Sequence, residues 1–214
     1  VFATIWSEWA IKVKAGRFAK KDEIQKKYDY LYSDLEMPDF KEEYIVAVDV
    51  ATENLLGDLK EQYGGKINLC IDHHGTNDEY SEYLLLNADA AAACEVILKV
   101  IKSMNVEIDR GIANCLFTGI TTDTGCFRYS STTSNTFRAA AELIDYGANN
   151  GAINRLMFET KTKTYAALER LCIEGMQFFE NEKICVITVT QDMYERTGSG
   201  EFESEGIAPL TRQI

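Results

Sequence analysis

The apolar run Ile67-Asn68-Leu69-Cys70-Ile71 stops abruptly at Asp72-His73-His74, so a carboxylate and the chain's only two histidines stand together at its end. A short, nearly continuous apolar run of this kind reads as a buried strand. Such strands belong to parallel sheets covered on both faces, whose ligands gather at the carboxyl ends of the strands. Two further runs repeat the pattern: Tyr44 to Val48 ends in Asp49, and Leu116 to Thr122 ends in Asp123. Three segments are therefore expected to deliver carboxylate or imidazole groups to similar ends. That arrangement points first to a metal-dependent phosphoryl or acyl hydrolase.

Between the first two runs, Thr52 to Leu59 predicts a short helix and Gly64-Gly65 a turn, which together make a βαβ unit. Further helices are predicted over Lys20 to Tyr32, Ala90 to Ser103, Asp109 to about Phe117, Thr136 to Tyr146 with Gly147 as its stop, Ile153 to Glu159, and Lys163 to Phe179. The strand Ile184 to Thr190 then opens a second unit. The predicted fold class is α/β, a mainly parallel sheet flanked by helices and followed by the start of a second α/β domain. The predicted domains are residues 1–162, a connecting helix over 163–179, and an incomplete domain over 180–214.

With 214 residues and 46% hydrophobic composition, the chain can bury a full core. No uninterrupted apolar stretch approaches the roughly 18 to 20 residues of a membrane span, and the opening residues lack a basic leader. A soluble, cytoplasmic protein without membrane contact is expected. The six cysteines are dispersed with no close pair, which reads as reduced core thiols. A formal net charge of -12 disfavours a long polyanion such as duplex nucleic acid as a partner. Small phosphorylated substrates held through bound cations remain compatible with it.

Asp49 can bridge two cations, or it can cap the helix that starts near Thr52. His73 can offer an imidazole nitrogen and Asp123 a further oxygen to manganese or another first-row metal. At a strand-to-loop junction neighbouring side chains diverge, so His74 can address a substrate phosphate while His73 binds metal. Asp72 suits an orienting role behind the imidazoles. The alternative is a capping Asp with two surface histidines. After Asp123, glycines and hydroxyls through Ser134 can approach phosphate oxygens or serve as turn and cap residues. Arg128 can pair with a phosphate or form a structural salt bridge.

Four blocks of the sequence resemble the DHH phosphoesterase family: Ala47-Val48-Asp49, Cys70-Ile71-Asp72-His73-His74-Gly75-Thr76-Asn77, Ala90-Ala91-Ala92-Ala93-Cys94-Glu95, and Gly119 through Asp123 to Ser130. The branch they look most like is the bacterial nano-RNase and 3'-phosphoadenosine-5'-phosphate phosphatase type. The resemblance covers Tyr44 to Phe179, and Ser204-Glu205-Gly206-Ile207-Ala208 is similar to the start of the associated substrate domain.

The resemblance implies a centre of two divalent ions, manganese first, with Asp49 bridging, His73 and Asp123 as ligands and His74 at the phosphate; Arg128 and Asn77 are further candidate substrate contacts. It implies hydrolysis of short oligonucleotides or linear dinucleotides to nucleoside monophosphates, and of the nucleotide bisphosphate to AMP and phosphate. An inorganic pyrophosphatase-like phosphatase and a noncatalytic nucleotide sensor are the alternatives. A homodimer is compatible with the sequence, which does not fix the oligomeric state. The family's earlier His-x-x-Asp-x-Asp loop has no counterpart, because residues 1–43 contain no histidine, and neither has its later glycine-rich, histidine-containing substrate loop. The expectation is therefore a fragment of a longer enzyme, with low or no activity of its own.

Overall fold

The computed structural model describes residues 26–31 and 42–213. The chain divides into two compact units between Met157 and Phe158. In the first unit, strands β1 (Val46–Val48), β2 (Leu69–Asp72) and β3 (Tyr83–Leu86) form one sheet in the order β1-β2-β3. Every pairing is parallel, with Val46 opposite Leu69 and Leu69 opposite Tyr83. Because successive side chains point to opposite faces, Ala47 and Cys70 pack with Tyr63 and Ile67 on one side. Val46, Val48, Leu69 and Ile71 join the larger core on the other.

The small face is covered by a 3-10 turn, Glu53–Leu56, and by α1 (Leu59–Tyr63). Thr52 accepts a hydrogen bond from the Asn54 amide and so caps the turn itself, which leaves Asp49 free of the capping role considered for it. The large face carries α2 (Ala93–Ser103), α3 (Arg110–Asp123) and α4 (Ser134–Asp145). α5 (Asn150–Asn154) runs on into a π-helical turn, Arg155–Glu159, where a helix from Ile153 to Glu159 is expected. Thr133 and Thr136 form a capping box that starts α4 two residues before the predicted Thr136. Of the helix predicted over Lys20 to Tyr32, Lys26–Leu31 is a 3-10 helix, and the rest lies outside the described residues. Tyr30 ties that turn to α3 through a hydroxyl contact with Thr118.

The strand expected to end at Asp123 is corrected. Leu116 to Thr122 is the second half of α3 and not a strand, so Asp123 arrives from a helix end. Asp109 starts the helix by accepting from the Ile112 amide at 2.7 Å, and Ile112, Leu116 and Ile120 repeat at the four-residue spacing that lines a helix face. Thr118 and Thr122 return their hydroxyls to Asn114 and Thr118 carbonyls. Since Cys115, Phe117, Thr118 and Thr121 are buried as well, the segment shows no polar face, and periodicity cannot separate a short, wholly buried helix from a strand. Fully buried side chains such as Leu116 and Phe117 contribute about 1.5–3 kcal/mol each.

For β3 the sequence gives no expectation. Its side chains at Tyr83, Leu85 and Leu86 are exposed, so it lacks the alternation of a half-buried strand. It joins β2 through the amide of Asn87, which donates to the Asp72 carbonyl at 3.1 Å, after a crossover that contains no helix.

The second unit holds α6 (Lys163–Glu174), the antiparallel pair β4 (Gln177–Phe179) and β5 (Ile184–Val186), α7 (Gln191–Thr197) and two 3-10 turns, Glu201–Gly206 and Ala208–Arg212. Its core is Leu168, Cys172, Ile207 and Leu210. The helix expected to reach Phe179 stops before Gly175, and Phe178 and Phe179 enter the hairpin. The strand expected to reach Thr190 ends at Val186, because Thr190 caps α7. Among the described residues, no helix is long and apolar enough to cross a membrane. All six cysteines are free thiols.

Candidate metal centre

β1 delivers Asp49 one residue past its end, in a left-handed backbone conformation (φ 60°) that Asp tolerates better than most residues. The Asp49 amide donates to the Ile71 carbonyl at 3.0 Å. That bond ties the turn to the neighbouring strand β2. β2 delivers Asp72, and the chain then leaves the sheet with His73 and His74.

His73 is held from one side and open on the other. Its Nδ1 lies 3.1 Å from the Ala90 carbonyl, while its Nε2 lies 3.3 Å from Asp49 Oδ1 and 3.8 Å from Asp123 Oδ2. Hydrogen bonding to Asp49, working against burial and aided by the Ala90 carbonyl and the charge of Asp123, raises the His73 pKa to about 9. Burial and then repulsion from Asp49, offset in part by the two histidines, push the Asp123 carboxyl up to about 6.

Asp72 is fully buried, and its charge is nevertheless satisfied. Oδ1 accepts from the His73 amide at 2.7 Å, the His74 amide at 3.3 Å and His74 Nδ1 at 2.8 Å; Oδ2 accepts from Asn77 Nδ2 at 2.6 Å. Burial opposes ionisation, but the hydrogen bonds from Asn77, His74 and the two amides prevail and hold the carboxyl below the usual carboxylate range. His74 is 44% exposed on its side chain, with its Nδ1 turned to Asp72. Its Nε2 is thereby directed away from that anchor.

A divalent cation fits this donor set. One ligand atom each from Asp49, Asp72, His73 and His74 lie within 4.8 Å of one another. Asp72 and His74 Nδ1 are committed to each other, which leaves Asp49 Oδ1 and His73 Nε2 of that group open to a cation; Asp123 Oδ2, outside the group, lies 3.8 Å from His73 Nε2. An imidazole whose far nitrogen is fixed by a carbonyl, set between two mutually repelling carboxylates at the negative end of α3, suits a divalent cation. The sequence singled out all three side chains. The Ala90 carbonyl opens the resembling block Ala90 to Glu95, to which the sequence assigns no role at the site; Glu95 steadies it by accepting from the Ala91 amide at 3.2 Å.

The remaining expected residues sit around this cluster. Asn77 faces inward on Asp72, and its Oδ1 accepts from the Glu79 amide at 2.8 Å. Arg128 donates from Nε to the Gly125 carbonyl at 2.5 Å, within the turn that follows Asp123. In that turn Gly125, Cys126 and Phe127 are all left-handed, at φ 55°, 59° and 62°. Only the first is a glycine. The other two are held by the Cys126 amide on the Thr121 carbonyl, the Phe127 amide on Thr124 Oγ1, and the Phe127 ring stacked on Phe137 at 5.4 Å. A Cβ at Gly125 would collide with the Tyr129 ring. The hydroxyls on either side of it supply turn and cap bonds through Thr124, Thr133 and Thr136.

Comparison with known proteins places this geometry among relatives. The probable bifunctional oligoribonuclease and PAP phosphatase NrnA of Streptococcus mutans serotype c is 27% identical over 181 residues, covering 85% of this chain and 57% of that protein. The bifunctional oligoribonuclease and PAP phosphatase NrnA of Bacillus subtilis is 25% identical over 180 residues, covering 82% and 56%. The chain thus spans little more than half the length of these curated relatives. Among solved structures, an exopolyphosphatase-related protein from Bacteroides fragilis has the same fold, with a TM-score of 0.72 at 20% identity over 80% of this chain and 52% of that one. The family model described as DHH family, N-terminal domain, matches residues 5–120, more than half of the sequence, and the chain belongs to the DHH family.

Proposed function

We propose that this chain carries the metal-binding part of a phosphoesterase that cleaves short oligonucleotides or linear dinucleotides to nucleoside monophosphates, and 3'-phosphoadenosine-5'-phosphate to AMP and phosphate. The observation that carries the reading is the convergence of Asp49 and Asp123 on His73 Nε2, at 3.3 and 3.8 Å, beside an outward-facing His74. The names of the NrnA relatives supply the substrate class. Residues 180–214 are read as belonging to the substrate-binding domain, with residues 163–179 as the connecting segment that leads into it.

Asp49, His73 and Asp123 would hold divalent cations, manganese in the first place, which when bound supply a water of lowered pKa and neutralise charge on the phosphate. The chain's own residues do the rest. His73 must give up its proton to offer Nε2, and the Ala90 carbonyl keeps the ring aimed as it does so. Asp72 takes the Nδ1 side of His74, which leaves Nε2 to meet a nonbridging phosphate oxygen. Arg128, anchored on Gly125, is a further phosphate contact in this reading.

These three ligands furnish only part of a two-cation shell, so turnover by the 214 residues alone is expected to be low. The assay is therefore single-turnover, with protein in excess over a labelled dinucleotide or the bisphosphorylated adenosine nucleotide, with and without manganese. Manganese-dependent product release that His73→Ala abolishes is the expected result. Cleavage of inorganic pyrophosphate with neither nucleotide substrate touched overturns the proposal in favour of a pyrophosphatase.

A further inference from the structure

Asp72 lies behind the candidate centre with no exposure at all, and each of its oxygens has a distinct set of donors. Oδ1 serves the two backbone amides of His73 and His74 together with His74 Nδ1, whereas among the described residues the one side-chain donor on Oδ2 is Asn77 Nδ2 at 2.6 Å. The amide of Asn77 cannot be reversed. Its Oδ1 accepts from the Glu79 backbone N–H at 2.8 Å, which commits Nδ2 to the Asp72 side. Nδ2 also approaches the Val50 carbonyl at 3.4 Å, next to Asp49, so one side chain spans the exits of β1 and β2.

We propose that Asn77 is a positioning residue: it locks the plane of the Asp72 carboxylate and thereby fixes the ring direction and the Nδ1–H form of His74. A buried carboxylate oxygen left without a donor is costly, and rotation about Cβ–Cγ is the cheapest relief open to it. That rotation shares Oδ1 and Oδ2 among three N–H groups and takes the dedicated acceptor away from His74. Residue type follows from the same geometry. Aspartate at 77 keeps the acceptor for Glu79 but sets a second carboxylate against Asp72, and leucine fills the space while offering neither bond. The catalytic consequence rests on the reading that His74 meets the substrate phosphate; the positioning itself does not.

The test is the nitrogen-15 spectrum of the metal-free chain labelled at histidine, with the two residues distinguished by His73→Gln. The native chain is expected to show His74 Nδ1 as a protonated, pyrrole-type nitrogen. Asn77→Asp and Asn77→Leu are expected to move it toward the mixed value of free imidazole. Tyr80→Phe, which removes a 2.9 Å bond to Val50 in the same loop without touching Asp72, is expected to leave it in place. An unchanged His74 signal in both Asn77 variants overturns the proposal. If neither variant folds, the native chain still decides: one Asn77 side-chain amide proton is expected to be protected from exchange, and equal, fast exchange of both overturns the clamp. In the phosphoesterase assay the Asn77 variants should turn over about 10- to 100-fold more slowly with manganese affinity kept. A shifted His74 signal in a protein that cleaves pyrophosphate and neither nucleotide substrate leaves the clamp standing and removes the proposed function instead.

Discussion

His73 Nε2 faces Asp49 Oδ1 at 3.3 Å across the ends of two adjacent parallel strands, while the opposite edge of the same ring is pinned to the Ala90 carbonyl. Without metal this contact binds a proton, and in the proposed reading the same nitrogen would hold a cation. The two ligands compete for one nitrogen, and the measurable properties of the site follow from that competition.

Manganese affinity is expected to climb with pH through the physiological range. His73 holds its proton up to about pH 9, so each unit of acidification below that value should weaken apparent binding about tenfold. Below about pH 6 the protonation of Asp123 should steepen the fall. Calorimetric titration from about pH 5.5 to about pH 8.5 checks the slope. A flat profile would remove His73 from the ligand set.

Metal-free stability should run the other way. The folded pKa of His73, about 9, lies above its ordinary value of 6.5, so the stability from its ion pair is complete below pH 6.5 and is lost as pH rises through 9. Asp123, raised from 3.8 to about 6, opposes folding increasingly between those values and constantly above them. Asp123→Asn removes that repulsion while keeping the shape. Because a third of the side chain is open to water, the gain should be modest, on the order of 1 kcal/mol or about 2–4 °C in Tm above pH 6. Thermal melts with chelator test this, and the same variant should bind manganese more weakly. A lower Tm would mean that the carboxylates do not repel.

The α/β class was legible in the sequence, and so were the residues of the candidate site, but not every element that carries them. Asp49 and His73 announce themselves because ionisable groups that end apolar runs have few places to go except a sheet's rim. Asp123 was found for the wrong structural reason, since its run is a helix buried on nearly all sides and leaves no polar stripe to reveal its period. β3 escaped notice because its exposed Tyr83, Leu85 and Leu86 carry no alternation, and its parallel register is set by backbone bonds. The carbonyl of Ala90 has no side-chain signature at all. The inward turn of Asn77 depends on Glu79 and Asp72 being brought together by the loop, a fact of tertiary structure.

The division of labour between the two histidines gives the sharpest test. His73 has its Nε2 among carboxylates and little exposure, whereas His74 has its Nδ1 on Asp72 and its other edge toward solvent. Removing the first imidazole opens the coordination sphere, so His73→Ala should lose metal occupancy and catalysis together. Removing the second leaves Asp49, His73 and Asp123 in place, so His74→Ala should keep most metal binding and lose the chemical step. A missing electrostatic contact in a transition state costs on the order of 3 kcal/mol, about a hundredfold in rate. Titrating manganese into each variant and following single-turnover cleavage in parallel separates the two effects. Native metal affinity in His73→Ala would strip that residue of its role, and equal loss of metal in both variants would show that the two rings, 4.4 Å apart between centroids, act as one binding element.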